Sequence, residues 1–256
     1  MLTKLIKKIK HRYALLMFKP EIRLIRIESQ EVSCSIEDLF GSSVYSNLRS
    51  WPEMKWLEKH RKDIHSGYIL DVGANQGITS IYYAKLFPGC FVQAIEPNPY
   101  NVSLIAKNIR INNTNNVGIL PYAASSHSSG QICISTHSNA SISDSGILVP
   151  MVALDNISMD RVSFVKVDIE GAELDALRGL SQHLLRSRPL LDIEVHLFTA
   201  ENKRGFLSEI LDILEPVKYT FSVVDGYQGN INEDLTSIEV LQFSDRPLIN
   251  LLARPV

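Results

Sequence analysis

YILDVGANQG, residues 68–77, is the stretch that decides the fold of this 256-residue chain. Its apolar start predicts a buried strand, and its glycines predict a tight turn that leads into a helix. A second segment, AIEPNP at residues 94–99, predicts the next strand, which ends in the acid Glu96. This order is typical of an open α/β sheet that holds an adenosine-containing cofactor, with backbone at the first turn and a carboxylate on the ribose hydroxyls.

The glycine turn differs from that of a dinucleotide-binding fold. In G-x-G-x-x-G the glycines let helix N–H groups approach a pyrophosphate, but here Asn75 occupies the second glycine position. The carboxylate of Asp71, at the strand end, would also lie near that dianion. S-adenosylmethionine has no phosphate, and its sulfonium and ammonium groups favour a nearby carboxylate. We therefore predict S-adenosylmethionine as the cofactor, with Gly73 and Gly77 allowing close backbone approach and Glu96 binding the ribose.

Strands and helices alternate along the rest of the chain. The predicted strands cover residues 68–72, 91–96, 117–124, 162–168 and 189–197. The predicted helices cover residues 77–86, 100–111, 171–186 and 201–214. Residues 217–225 and 237–253 predict two closing strands. Alternation of this kind predicts a mostly parallel sheet with helices on both faces and an antiparallel end.

Composition sets limits on the class of protein. The chain is 45% apolar and 21% charged, which is ordinary for a soluble globular protein. Its net charge of −2 gives no support for a nucleic-acid partner. Three cysteines without metal-type spacing indicate reduced thiols, and hence a cytoplasmic protein.

The N-terminal segment is strongly basic. Residues 1–28 contain eight Lys and Arg against two Glu, and residues 1–19 show apolar positions at helical spacing. A basic amphipathic helix predicts peripheral contact with an anionic membrane, or docking on a partner or on the chain's own surface. With a helix expected at 53–64, we predict a helical N-terminal region, 1–66, before a cofactor-binding domain, 67–256.

Two further segments place ionisable groups at strand ends. In VKVDIEGAE, Asp168 ends a strand, and Glu170 and Glu173 share one face of the next helix. Ligands bind at such carboxyl ends, so Asp168 and Glu170 are candidate site residues, whereas Glu173 is assigned to the helix dipole. In PLLDIEVHL, residues 189–197, one face carries Glu194 and His196. His196 is the best general-base candidate, because imidazole titrates near neutral pH.

These motifs, above all D-x-E-G-x-E followed by IEVH, resemble the FkbM family of S-adenosylmethionine-dependent methyltransferases over residues 69–197. The resemblance implies a class I methyltransferase fold: a doubly wound, mostly parallel sheet of seven strands of Rossmann type, here with a helical N-terminal extension. It also implies O-methylation of a sugar, glycan or secondary metabolite such as a macrolide. Gly77 and Asn98, which lie in the same segments as the implied cofactor contacts, are also predicted to bind the cofactor. Those contacts are Asp71, Gly73, Asn75, Glu96, Ala123 and Ala124.

The chemistry expected of an O-methyltransferase assigns roles to the ionisable residues at the two strand ends. Asp168 or His196 would take the hydroxyl proton, and Glu170 and Glu194 would hold substrate hydroxyls or orient the base. The carboxylates could instead supply oxygen ligands for Mg²⁺. Two alternatives stay open: methylation of an amine or protein side chain, and a catalytically silent module that docks to a glycan-assembly complex.

Overall fold

A computed structural model describes residues 18–38, 51–136, 141–226 and 229–256. The basic helix predicted within residues 1–19 lies almost wholly outside the described residues. The strands are β1 (Glu21–Ile27), β2 (Gln30–Ile36), β3 (Gly67–Val72), β4 (Cys90–Ile95), β5 (Val117–Leu120), β6 (Ala123–Ala124), β7 (Gln131–Ile134), β8 (Ile147–Val152), β9 (Val162–Val167), β10 (Leu190–Val195), β11 (Tyr219–Asp225), β12 (Ile231–Leu235) and β13 (Ile249–Pro255).

Helices connect these strands and cover both faces of the main sheet. They are α1 (Pro52–Lys59), α2 (Ile78–Leu86), α3 (Pro99–Asn112), α4 (Glu173–Arg178), α5 (Ser181–Ser187), α6 (Lys203–Leu214) and α7 (Ser237–Val240). Among the described residues, no helix combines the length and apolar character needed to cross a membrane.

The main sheet has the order β12-β11-β13-β10-β9-β3-β4-β5. The five strands from β10 to β5 are parallel, and β13 inserts antiparallel between β10 and β11. The prediction of a doubly wound, mostly parallel sheet is confirmed, but the sheet has eight strands rather than seven. The additional strand is β12, which pairs antiparallel with β11 at the edge.

The N-terminal extension is not purely helical. β1 and β2 form an antiparallel hairpin whose two-residue turn places Glu28 at φ 46°. Apolar side chains alternate along both strands, and those of Ile25, Ile27, Val32 and Cys34 are buried. This period of two favours a strand over a helix, and the hairpin packs in one core with helices α1 and α2. The expected helix nearby is present as α1, although it ends earlier than predicted.

Three other predicted elements differ from the structure. The strand expected over residues 117–124 is divided into β5 and β6, which belong to different sheets. The helix expected over residues 171–186 is divided into α4 and α5. The strand expected from residue 237 begins only at Ile249, because Thr236 and Glu239 form a capping box that starts the short helix α7.

Two cores lie on opposite faces of the main sheet. One contains Val165, Ile193 and Leu251 and packs against α4 and α6. The other contains Ile69, Phe164 and Leu252 and packs against α1, α2 and the hairpin. Because the central strands are parallel, their carboxyl ends meet at one edge, where open α/β sheets bind ligands.

Candidate active site

A cavity of about 340 Å³ lies at the carboxyl ends of β3, β4 and β9. Loops after these strands form its floor, and the three-stranded sheet of β6, β7 and β8 forms a wall. Val72, Ile95 and Leu174 give it apolar surface. Its position is where the sheet topology predicts a ligand.

The glycine turn after β3 brings backbone to the cavity floor. Gly73 has φ 85°, and its N–H donates to the carbonyl oxygen of Ile95 at 2.9 Å. A Cβ atom on Gly73 would lie 1.8 Å from the carbonyl oxygen of Asp168. Glycine is therefore required here both by the left-handed conformation and by the close approach of the β9 end.

We expect Gly73→Ala to destabilise the fold by about 3 kcal/mol or more, because both requirements are violated at once. Gly130→Ala is the matched control. Gly130 has φ 95°, but its nearest neighbour to an added Cβ is the flexible end of Met151 at 3.4 Å. Gly130→Ala should lower the free energy of unfolding only by the cost of holding alanine in a left-handed conformation, about 1–2 kcal/mol. Denaturant unfolding of both variants checks the difference, and equal losses would contradict the steric argument.

Asp71 and Gly77 lie beside the cavity rather than in its lining. The carboxylate of Asp71 is fully buried, and its Oδ2 accepts hydrogen bonds from Thr79 Oγ1 at 2.7 Å and Ser80 Oγ at 2.5 Å. Gly77 caps the start of α2 and packs against Ile105. Both residues hold the turn and helix together, and their predicted contacts with a cofactor stay predictions.

Glu96, at the end of β4, faces the cavity with its carboxylate held from two sides. Oε2 accepts the backbone N–H of Asn75, and Oε1 accepts the backbone N–H of Asn98, each at 2.8 Å. Burial raises the pKa of Glu96 to about 7, although these N–H groups and the Asn101 side chain oppose the shift. The arrangement fixes an acceptor whose remaining lone pairs can bind a pair of hydroxyls.

Of the remaining predicted cofactor residues, three line the cavity and one lies beside it. Asn75, Ala123 and Ala124 line the cavity, the two alanines through β6. Asn98 is buried next to the lining, and its side chain accepts the N–H of Tyr100 as the N-cap of α3. Asn98 therefore contributes through its backbone N–H to Glu96 and through the position of α3.

The four predicted catalytic residues lie together at one end of the cavity. Nε2 of His196 lies 3.6 Å from Glu170 Oε2, 3.7 Å from Glu194 Oε1 and 4.0 Å from Asp168 Oδ1. Asp168 and Glu170 line the cavity, whereas His196 is almost fully buried behind them. Three carboxylates thus converge on one imidazole nitrogen.

Glu173 orients this imidazole. Its Oε1 lies 2.7 Å from His196 Nδ1 and also accepts the N–H of Gly171 at 2.8 Å. Glu173 is completely buried, and its Oε2 has no hydrogen-bond partner in the described part of the chain. A carboxylate on Nδ1 directs Nε2 toward the cavity end, so Glu173 is a positioning residue as well as an acid in a first helical turn. The i, i+3 spacing from Glu170 was its signal in the sequence.

Lys166 is a second residue that the sequence reasoning did not assign. It lies buried in the middle of β9, and its Nζ is 2.7 Å from Asp168 Oδ2. In the sheet register it lies between Asp71 on β3 and Asp192 on β10. Its only signal was a charged residue within the mostly apolar, buried strand VSFVKV.

The cluster has strongly perturbed electrostatics. Burial opposes ionisation of Asp168, but the Lys166 ammonium outweighs it and lowers the Asp168 pKa. Burial, together with the charge of Asp168, raises the pKa of Glu194 well above its usual value. Burial lowers the pKa of His196, yet the hydrogen bond and charge of Glu173 and the nearby Asp168 more than compensate, so the net shift is upward. Such a divergence of pKa values is typical of functional sites.

Comparison with known proteins was made on sequence and on structure. A family model described as the methyltransferase FkbM domain matches residues 71–222. No curated protein matches significantly. An rRNA methylase from Streptococcus thermophilus is 11% identical, with a TM-score of 0.51 and an alignment that covers 80% of this chain and 96% of that one. This likeness shows the fold, which is that of class I methyltransferases.

A methyltransferase FkbM from Methylobacillus flagellatus KT is 17% identical, with a TM-score of 0.49. The alignment covers 85% of this chain and 55% of that one, so the chain spans about half the length of that protein. The family model alone covers more than half of the 256 residues and contains the glycine turn, Glu96 and the His196 cluster. The chain therefore belongs to the FkbM methyltransferase family.

Proposed function

We propose that the chain transfers the methyl group of S-adenosylmethionine to a hydroxyl of a sugar, glycan or secondary metabolite. The observation that carries the proposal is one continuous cavity, with Glu96 on one side and Asp168 and Glu170 on the other. The first side offers a site for a ribose, and the second side leads to the proton-accepting cluster around His196. This arrangement supports the proposal, because a methyl donor bound on the first side would lie next to an acceptor bound on the second.

The residues present fit S-adenosylmethionine. Glu96 would accept both ribose hydroxyls, and the turn at Gly73 and Asn75 would meet the amino acid part through its backbone. Apolar lining side chains such as Ile95 and Pro97 suit an adenine ring. When bound, the cofactor supplies an electrophilic methyl carbon on its sulfonium. Carboxylates such as Asp168 favour a cationic ligand over a phosphate-bearing one.

The chain's own residues have to align the acceptor and take its proton. The hydroxyl oxygen would bond to the methyl carbon, the carbon–sulfur electron pair would stay on sulfur, and the hydroxyl would give its proton to the protein. Asp168 Oδ1 and His196 Nε2 are the groups placed to receive that proton, since Lys166 occupies the other Asp168 oxygen and Glu173 occupies Nδ1. Glu170 and Glu194, beside them, would hold further acceptor hydroxyls.

A hydroxyl is favoured over an amine or nucleic-acid acceptor by the charge at this end of the cavity. Three carboxylates surround His196 Nε2, and they would repel a polyanion and accept hydrogen bonds from a polyol. An amine could also bind there as a cation, but it would then hold the proton that must leave before it can attack.

The experiment is transfer of labelled methyl from S-adenosylmethionine by the full chain to a cell lysate, which is then separated into small-molecule, glycan, lipid, protein and RNA fractions. We expect base-stable label in a glycan or small-molecule fraction, and at least tenfold less label with Glu96→Ala at a cofactor concentration below the dissociation constant of the wild type. Label confined to protein or RNA would replace the proposed acceptor. Cofactor binding without any transfer would support a catalytically silent module that binds a glycan-assembly complex.

A further inference from the structure

We propose that Asp168, Glu194 and His196 bind a divalent first-row cation such as Mn²⁺ at the end of the cavity. Each residue offers one ligand atom, and these atoms all lie within 4.8 Å of one another. The site itself is inferred from geometry, whereas its role, to hold the acceptor hydroxyl, rests on the proposed function.

The two distances from the imidazole to the carboxylates suit a common ion. A cation about 2.1 Å from each ligand brings any two ligand atoms to within about 4.2 Å of each other. His196 Nε2 lies 3.7 Å from Glu194 Oε1 and 4.0 Å from Asp168 Oδ1. These separations are too long for hydrogen bonds and short enough to be bridged by one ion.

The state of the imidazole is a second observation in favour of a cation. The His196 side chain is 2% exposed, and no hydrogen bond joins its Nε2 to another of the described residues, although it faces three carboxylates. Its other nitrogen, Nδ1, is held by the buried carboxylate of Glu173 at 2.7 Å. Metal-bound histidines usually have such a carboxylate on the second nitrogen, because it fixes the ring and raises its basicity as a ligand.

The charges of the side chains around His196 also favour a bound cation. Glu173 and Glu194 are buried or nearly so, and Asp168 and Glu170 lie beside them. Lys166 is already engaged with Asp168 Oδ2, which leaves Oδ1 facing the imidazole. Carboxylates grouped around so few cationic partners are costly to ionise together, and a bound divalent ion relieves that cost.

The mixed ligand set favours a particular class of ion. Two carboxylates and one imidazole suit Mn²⁺, Fe²⁺ or Zn²⁺ better than Ca²⁺, which prefers oxygen ligands alone. Asp168 lines the cavity, so coordination positions remain open on the side where the acceptor would bind. An acceptor hydroxyl bound there would lose its proton more readily. In that case Asp168 and His196 act as ligands, and Glu170 is placed to take the proton.

Direct metal binding tests the site without any need for activity. The full chain is treated with a chelator and titrated with Mn²⁺ alone, with free Mn²⁺ followed by electron paramagnetic resonance. We expect one ion per chain, at least tenfold weaker binding in Glu194→Gln and His196→Ala, and unchanged binding in the exposed control Asp245→Asn. Spin-echo modulation from a coordinated nitrogen should be present in the wild type and absent in His196→Ala.

Glu173→Gln supplies a milder variant, because an amide keeps the shape of the side chain. It should weaken Mn²⁺ binding by about 10–100-fold. No Mn²⁺ binding by the folded wild type, or binding that His196→Ala and Glu194→Gln leave unchanged, would overturn the cation site. Methyl transfer that survives chelation would then leave the proposed function standing. Mn²⁺ binding with the expected variant pattern but no methyl transfer would reject the function alone.

Discussion

His196→Ala is expected to lower the rate of methyl transfer by about 10²–10⁴-fold and to leave the affinity for S-adenosylhomocysteine nearly unchanged. His196 Nε2 lies at the meeting point of Asp168, Glu170 and Glu194, away from Glu96. Its removal takes away either the proton acceptor or a ligand of the ion that activates the hydroxyl. In both cases it affects the chemical step more than cofactor binding.

Turnover is measured at saturating S-adenosylmethionine, and the affinity for S-adenosylhomocysteine is measured by calorimetric titration. Together the two measurements separate an effect on the chemical step from an effect on cofactor binding. His65→Ala is the matched control, because His65 is exposed and remote from the cluster in the sequence. It should behave as the wild type. A loss of less than tenfold in His196→Ala would mean that proton removal occurs elsewhere.

The second large effect is expected at Glu96. Glu96→Ala should weaken binding of S-adenosylhomocysteine by about 10–150-fold, since a charge-assisted hydrogen bond is worth about 1.5–3 kcal/mol. The carboxylate is already held by the N–H groups of Asn75 and Asn98, so it is preorganised for the ribose. Glu201→Ala, at an exposed position, serves as the control and should bind normally.

The pH dependence gives an independent check on Glu96. Burial raises the pKa of this carboxyl to about 7, so it is largely protonated at pH 6 and largely ionised at pH 8. Ribose hydroxyls donate best to the ionised form, so binding of S-adenosylhomocysteine should strengthen as pH rises through 7, by about tenfold from pH 6 to 8. Glu96→Gln should remove that dependence, and an unchanged pH profile in this variant would assign the ionisation to another group.

Most of the central sheet could be predicted because local pattern and topology agree. Each buried strand is an apolar run followed by a turn and a helical period, and parallel pairing follows from that alternation. The hairpin at residues 21–36 was missed because the region was assigned as helical from the segments on either side of it, although Ile25, Ile27 and Val32 alternate. The edge strand β12 was missed because the middle of INEDL is polar, and only its end residues Ile231 and Leu235 pack against the cores.

The position of the candidate site could be predicted from the sequence, but the roles of the buried residues behind it could not. Asp168, Glu170 and His196 were recognised because strand ends in parallel sheets converge. The roles of Glu173 and Lys166 depend on full burial and on partners across the sheet, which no local pattern reports. The hydrogen bonds from the Thr79 and Ser80 hydroxyls to Asp71 Oδ2 likewise depend on how α2 packs at the end of β3.

Calorimetric titration of the intact chain with S-adenosylhomocysteine, and in parallel with NAD, tests the central assignment most directly. The cavity beside Gly73 and Glu96 should bind one molecule of S-adenosylhomocysteine per chain with a dissociation constant on the order of micromolar. NAD should give no binding heat, because its pyrophosphate would have to lie near Asp168 and Glu170. Saturable binding of NAD, or no binding of S-adenosylhomocysteine by the folded chain, would contradict the assignment of this cavity.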